Sequence, residues 1–217
     1  VWIALKGGFH KWNPYEGKIV YRLSLSLKVF AGRGLELADH LGLINLLNQA
    51  LPSGSVLGSA DRFGTLEVLV APSAWVEAVR FLKDDPSCDF EMMIDLVGAD
   101  YSQYPSHEGG RFGLILHLKS LTRGVRLSLK TLLEDADPTV GTLCDLYKNA
   151  NFLEREVFDQ YGVCFAGHPN LKRLLNHHEF VGHPLRKDYP ITRRQWLSAN
   201  ETLMDEMDKR LAEKGWT

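Results

Sequence analysis

Cysteine is scarce. Cys88, Cys144 and Cys164 are the only three in 217 residues, and they lie far apart. An odd number at that spacing makes neither a disulfide framework nor an iron–sulfur or zinc ligand set, so three reduced thiols are expected. No stretch approaches roughly 18 consecutive apolar residues, so no transmembrane helix is expected and membrane association has to come through partners. Net charge is −2, which gives no global field toward nucleic acid or an anionic membrane. The chain has no internal repeat and no low-complexity tract. Its first residues lack a signal-peptide layout: the apolar run is too short and no small-residue cleavage site follows. The absence of an initiator Met leads us to expect a start inside a longer product or after processing. What is present is ordinary for a soluble globular protein, with 45% hydrophobic and 24% charged residues. That length carries one domain with a sizeable core plus an arm.

Periodicity orders the rest. Lys18 to Phe30 alternates apolar and polar residues, as a strand does, within an N-terminal extension at 1–36. Leu37, Leu41, Ile44, Leu47 and Leu51 share one helical stripe. Ser55 to Ala60 and Thr65 to Val70 read as strands joined by a turn at Asp61 to Gly64. Pro72 opens a helix through Leu82. Phe90, Met92, Ile94 and Leu96 form one apolar strand face. Phe112 to Leu118 and Val125 to Leu129 make a hairpin. Thr139 to Lys148 reads as a short helix. The predicted class is α+β: a mostly antiparallel sheet with helices packed on it over 37–162. An extended arm over 163–191 and a charged helical tail over 192–217 follow. In that tail Leu203, Met207 and Leu211 form a narrow stripe.

Asn151 to Pro190 organises the chain. Asn151 is expected to cap a helix, with Glu154 reaching back in a capping box. Leu153, Val157, Phe158 and Tyr161 recur at helical spacing, and Gly162 supplies a left-handed stop. Beyond it lie two Gly-His-Pro steps, Gly167-His168-Pro169 and Gly182-His183-Pro184, which push the chain toward extended conformations. This arm holds too few apolar residues for a core of its own. The run E-R-E-V-F-D-x-Y-G-V-x-F-x-G-H-P-x-L-x-R-L-L from Glu154 is followed by G-H-P-L-R-K-D-Y-P. Together they resemble the signature of the C subunit of the respiratory NADH–quinone oxidoreductase, the thirty-kilodalton subunit family of complex I. Phe152 stands where the family commonly has Trp, and Asn170 where Asp is usual.

The resemblance implies a subunit with no cofactor of its own, FMN and iron–sulfur clusters belonging to partner subunits. It implies packing against the homologue of the complex I D subunit, the forty-nine-kilodalton protein, and against neighbouring connecting-module subunits. It also implies a peripheral place on the cytoplasmic face of a bacterial inner membrane, or the matrix face in a mitochondrion. Catalysis would belong to the oxidoreductase complex, and this chain alone is read as non-catalytic. Partner contact or arm anchoring falls to Glu154, Arg155, Glu156, Asp159, His168, Pro169, Arg173, His183, Pro184, Arg186, Lys187, Asp188 and Tyr189. Two alternatives stand beside this. One is the equivalent subunit of a membrane-bound hydrogenase or a ferredoxin-dependent quinone reductase, which share the signature. The other is a freestanding metal-dependent enzyme using His168, His177, His178 and His183. Against it, two of these precede Pro and the adjacent pair diverges, so His168 and His183 are expected to fix the arm through hydrogen bonds. A fusion to the D subunit, with the tail as linker, is a further expectation. There is no nucleophile elbow and no dinucleotide loop. Nor is there the aromatic-studded sheet or helix-turn-helix that nucleic-acid binding asks for.

Overall fold

The computed structural model describes residues 3–5, 8–10, 37–105, 107–193, 195 and 198–215. The chain forms two compact units, Val1–Gly32 and Arg33–Thr217. In the first, β1 (Ile3–Leu5) and β2 (Gly8–His10) pair antiparallel. The strand expected at Lys18 to Phe30 lies outside the described residues.

The second unit is α+β, built on a mixed five-stranded sheet. Helix α1 (Leu37–Ala50) leads to the hairpin of β3 (Val56–Arg62) and β4 (Thr65–Val70). A 3-10 turn at Pro72–Ala74 opens α2 (Trp75–Asp84). Strands β5 (Met92–Asp100), β6 (Phe112–Ser120) and β7 (Val125–Leu133) then form an antiparallel meander. The order is β3-β4-β7-β6-β5, and β4 meets β7 in parallel. Because side chains alternate along a strand, one sheet face collects Leu66, Val68, Leu114, Leu116, Leu118, Leu127 and Leu129. Against this core lie Leu47 of α1 and Trp75, Val79 and Leu82 of α2, all without exposure. Each such side chain contributes roughly 1.5–3 kcal/mol by leaving water. In register on the other face, Glu67, Ser128, His117 and Asp95 run across four strands.

Four expectations are corrected. The buried line of α1 is His40, Leu43, Leu47 and, just past its end, Leu51, whereas Leu41 is 61% exposed. The helix is rotated toward β3, where His40 Nδ1 approaches Asp61 Oδ2 at 3.6 Å. In β5 a bulge between Met93 and Asp95 shifts the phase, so Met93 and Leu96 face the core while Met92 and Ile94 face out. Thr139 to Lys148 is no helix. Its first residues form β8 (Thr139–Gly141), which pairs in parallel with β9 (Cys164–Ala166), and a single turn follows in which Tyr147 N–H donates to Leu143 O. That pairing is long-range and leaves no mark in local periodicity. Finally, α3 spans Ala150–Tyr161, so its N-terminus lies two residues earlier than a cap at Asn151 would place it. Asn149 stands at its N-cap without a side-chain cap bond and spends its amide on Met93 O of β5.

Helix α3 packs against β5 at a glycine. A Cβ on Gly98 would sit 2.6 Å from the Tyr161 ring, so only glycine admits that ring against the strand. The segment 167–193 has neither helix nor strand, and α4 (Ser198–Glu213) follows. Ser198 starts α4 by donating its N–H and hydroxyl to the Glu179 carboxylate.

Candidate functional site: an arm clamped to one helix

The first turns of α3 hold a buried acid. Glu154 is fully buried and gives its carboxylate to donors outside the helix, so the expected capping box does not form. Its oxygens accept the Thr142 hydroxyl, the Leu143 N–H and, at 3.6 Å, the Cys144 thiol. This joins α3 to the turn after β8. Burial pushes the Glu154 carboxyl above its ordinary range, and these donors only partly oppose that. In the next position, the Arg155 guanidinium donates to the carbonyls of Lys172 and Arg173. Glu156 is exposed.

The last turn of α3 holds a second buried acid with different surroundings. Asp159 accepts Arg173 Nη1 at 2.7 Å and the Asn176 side-chain amide at 3.1 Å. It also accepts the backbone N–H groups of Leu174, Leu175 and Asn176 at 3.1, 2.8 and 2.8 Å. Burial alone would push this carboxyl up, but the Asn176 amides, Arg173 and the Leu175 amide bring it down to about 2. Arg173 also reaches Gly182 O, closing the arm into a loop against the helix. His183 meets the Asp159 carbonyl at 3.0 Å, so its Nδ1 carries the proton. Burial first, then the neighbouring Arg186 and Arg173, hold its imidazole below the usual range. Gly162 ends the helix at φ 77°, where a Cβ would meet Arg186 Nη2 and His183 Nε2 at 2.6 Å each.

A third junction ties the arm to the sheet. Arg111 donates to Asp100 through two nitrogens and pairs with Asp135 and Asp188, each at 2.9 Å. Asp100 also accepts the backbone N–H of Lys187 at 2.8 Å. Burial opposes its ionisation, yet Arg111, Lys187 and Ser102 together hold Asp100 well below the carboxylate range. Arg186 donates to Tyr161 O and lies over the Phe112 ring. Tyr189 stacks on Phe180, and its hydroxyl accepts from Gln195. Pro184 is half-buried, while Pro169 and the Lys187 side chain are exposed. Asp100, Arg111, Asp135 and Asn176 escaped the sequence reading. Arg111 draws Asp100 from β5, Asp135 from beyond β7 and Asp188 from the far end of the arm, and no local pattern records such a junction.

A family model described as "Respiratory-chain NADH dehydrogenase, 30 Kd subunit" matches residues 68–195, which takes in β4 through the clamped arm. The chain belongs to this family. It is 40% identical over 153 residues to the NADH-quinone oxidoreductase C subunit of Thiobacillus denitrificans, covering 69% of this chain and 74% of that one. It is 45% identical over 140 residues to the same-named protein of Xanthobacter autotrophicus, covering 64% and 65%. A chain of an archaeal respiratory membrane complex, the membrane-bound sulfane sulfur reductase, shares the fold with a TM-score of 0.56 at 23% identity, over 70% of this chain and 86% of that one.

Within this family member, the four arm histidines do not converge. His177 and His178 lie beside Glu179, His183 sits on the last turn of α3, and His168 lies near Cys144 and Glu154. The last trio has the right atoms for a cation, with His168 Nε2 4.0 Å and Cys144 Sγ 3.6 Å from Glu154 Oε2. The histidine tautomer argues against it. Asn170 N–H donates to His168 Nδ1 at 2.9 Å, so Nε2 carries the proton and donates to Asn151 O at 3.1 Å. The nitrogen facing the trio therefore has no free lone pair to give a metal. On the open sheet face, a cleft of about 450 Å³ includes Asp95, His117 and Ser128, with His117 Nδ1 2.9 Å from Ser128 Oγ. Cross-strand ladders there consume backbone amides that an oxyanion hole would require, and Asp95 Oδ1 accepts its neighbour Leu96 N–H. No helix among the described residues is long and apolar enough to cross a membrane.

Proposed function

We propose that this chain is the C subunit of an NADH–quinone oxidoreductase and acts there as a non-catalytic structural subunit of the peripheral arm. In this reading it packs against the D-subunit homologue, the forty-nine-kilodalton protein, in support of electron transfer from NADH to quinone and the coupled proton translocation. FMN and iron–sulfur clusters sit in partner subunits, and the chain reaches the cytoplasmic face of the membrane only through the complex. One observation carries the proposal. The matched segment spends its charged signature residues on holding an arm to a helix rather than on lining a substrate cleft: Asp159 binds Arg173, and Arg111 binds Asp188. A family whose signature orders an arm, in relatives named as subunits of an oxidoreductase, fits a scaffold.

Mild-detergent affinity purification of the tagged chain from its native membranes, with partners identified by mass spectrometry, tests this. Recovery of a D-subunit homologue together with flavin- and iron–sulfur-bearing subunits is the expected result. A nickel-iron hydrogenase large subunit in their place would move the chain to the membrane-bound hydrogenase branch, and recovery without partners would overturn the assembly role.

A further inference from the structure

The arm turns several of its charges inward and leaves several apolar side chains exposed. Its ionisable signature residues turn inward: Arg173 to Asp159, His183 to the Asp159 carbonyl, Arg186 to Tyr161 O. Leu171, Leu174 and Phe180 are half-buried, but four other apolar side chains stay in solvent. Leu175 is 65% exposed, Val181 61%, Leu185 49% and Ile191 98%. A surface segment free to relax would hide such residues and solvate its charges. This one is fixed by bonds at or near the exposed residues. Gln195 binds both backbone groups of Val181 and the Tyr189 hydroxyl, and Phe180 stacks on Tyr189, so the backbone at Val181 is tied to Tyr189, two residues before Ile191. Leu185 N–H donates to Gln160 O, which pins that residue beside the end of α3. The exposed charges interspersed with this apolar set are Lys172, Lys187 and Arg193, and the one exposed acid between residues 171 and 193, Asp188, is already paired with Arg111.

We propose that the partner-binding surface of the arm is this outward apolar set, Leu175, Val181, Leu185 and Ile191, and that its occupant is a neighbouring subunit presenting an apolar groove bordered by carboxylates. The charged signature residues are positioning residues that shape this surface from behind. The assignment rests on the assembly role proposed above. It follows from two features together: apolar side chains held out by a rigid backbone form a preorganised anchor set, and the exposed rim is cationic, so the complementary rim is acidic.

The test replaces Val181 and Ile191 by Ser together in the full-length tagged chain, in the native host, beside a second variant, Lys172→Glu with Lys187→Glu. Neither pair touches the side chains that clamp the arm. The apolar variant is expected to cut recovery of complex subunits by about tenfold or more, since a factor of ten needs only one modest anchor. The purified variant should keep the thermal midpoint of the parent chain. The charge variant is expected to lose recovery as well, more steeply at low salt than at high salt, where the rim attraction is already screened. If the parent chain recovers the complex and both variants recover it equally, the outward surface is not the contact and this inference is overturned while the assembly role stands. If the parent chain itself recovers no partners, both fall. A drop in recovery matched by an equal drop in the thermal midpoint would also overturn the inference, because the residues would then be internal to the fold.

Discussion

The two ends of α3 each bury a carboxylate, and the two carboxylates are pushed in opposite directions. Glu154 has no cation within bonding distance among the described residues; it meets a hydroxyl, one amide and a thiol, and its carboxyl is raised. Asp159 has Arg173, the Asn176 side chain and a run of consecutive backbone amides, and its carboxyl is lowered to about 2. Burial is the same in kind at both. What differs is how many donors, and whether a full positive charge, compensate it. The lesson is about roles. At the Glu154 end the acid joins elements of the domain to one another, and a neutral acceptor would nearly suffice. At the Asp159 end the charge itself folds the arm, because only an ionised carboxylate collects that set of donors.

Asp159→Ala breaks the comparison most. It leaves Arg173 and several amides of residues 174–176 without their acceptor, and should cost about 3–5 kcal/mol in urea denaturation of the full chain. Arm residues should become protease-sensitive first. An effect below about 1 kcal/mol would show that the arm folds without its hub.

Titration gives the next largest effect. Asp159 has a folded value below its ordinary 3.8, so its contribution is fully present above that pH and is lost as pH falls through about 2. The window corresponds to roughly 2 kcal/mol. Glu154 works the other way. Its folded value is raised, so its protonated form is favoured by folding: this contribution is complete below its ordinary 4.5 and is lost as pH rises through the folded value. Urea midpoints measured from pH 7 to pH 2 should therefore rise slightly before they fall. Asp159→Asn should flatten the fall, and Glu154→Gln should remove the rise.

Gly162→Ala should cost about 1–3 kcal/mol, because a side chain at φ 77° is strained and its Cβ would press on His183 and Arg186. Chemical denaturation measures the loss, and a neutral result would mean that the helix end can unwind and refit. Glu154→Gln is the smallest. A neutral side chain of the same shape keeps one acceptor for Leu143 N–H and should change stability by no more than about 1 kcal/mol. A loss as large as that at Asp159 would erase the distinction between the two ends.

Much of this could be read from the linear pattern. Helix α2, the β6–β7 hairpin and the Gly162 stop follow from local periodicity and from the one residue that accepts a left-handed backbone. The family signature was legible because its residues are contiguous. The phase of β5 was not, since a single bulged residue at Ile94 swaps its faces without altering its composition. Nor was β8, a three-residue strand that exists only because Cys164–Ala166 passes beside it.

By itself, then, the sequence determined the class of fold, the order of its principal elements and the family. Each of these is carried by neighbours along the chain, through periodicity, turn residues and an ordered motif. Only the tertiary structure decided what the charged signature residues do. Arg111 gathers Asp100, Asp135 and Asp188 from three separate segments, and Asp159 gathers the 173–176 turn. Burying a charge is tolerable only when partners surround it, and those partners are chosen by proximity in space. A carboxylate that looks in sequence like a surface contact can therefore be the internal anchor that holds other residues outward.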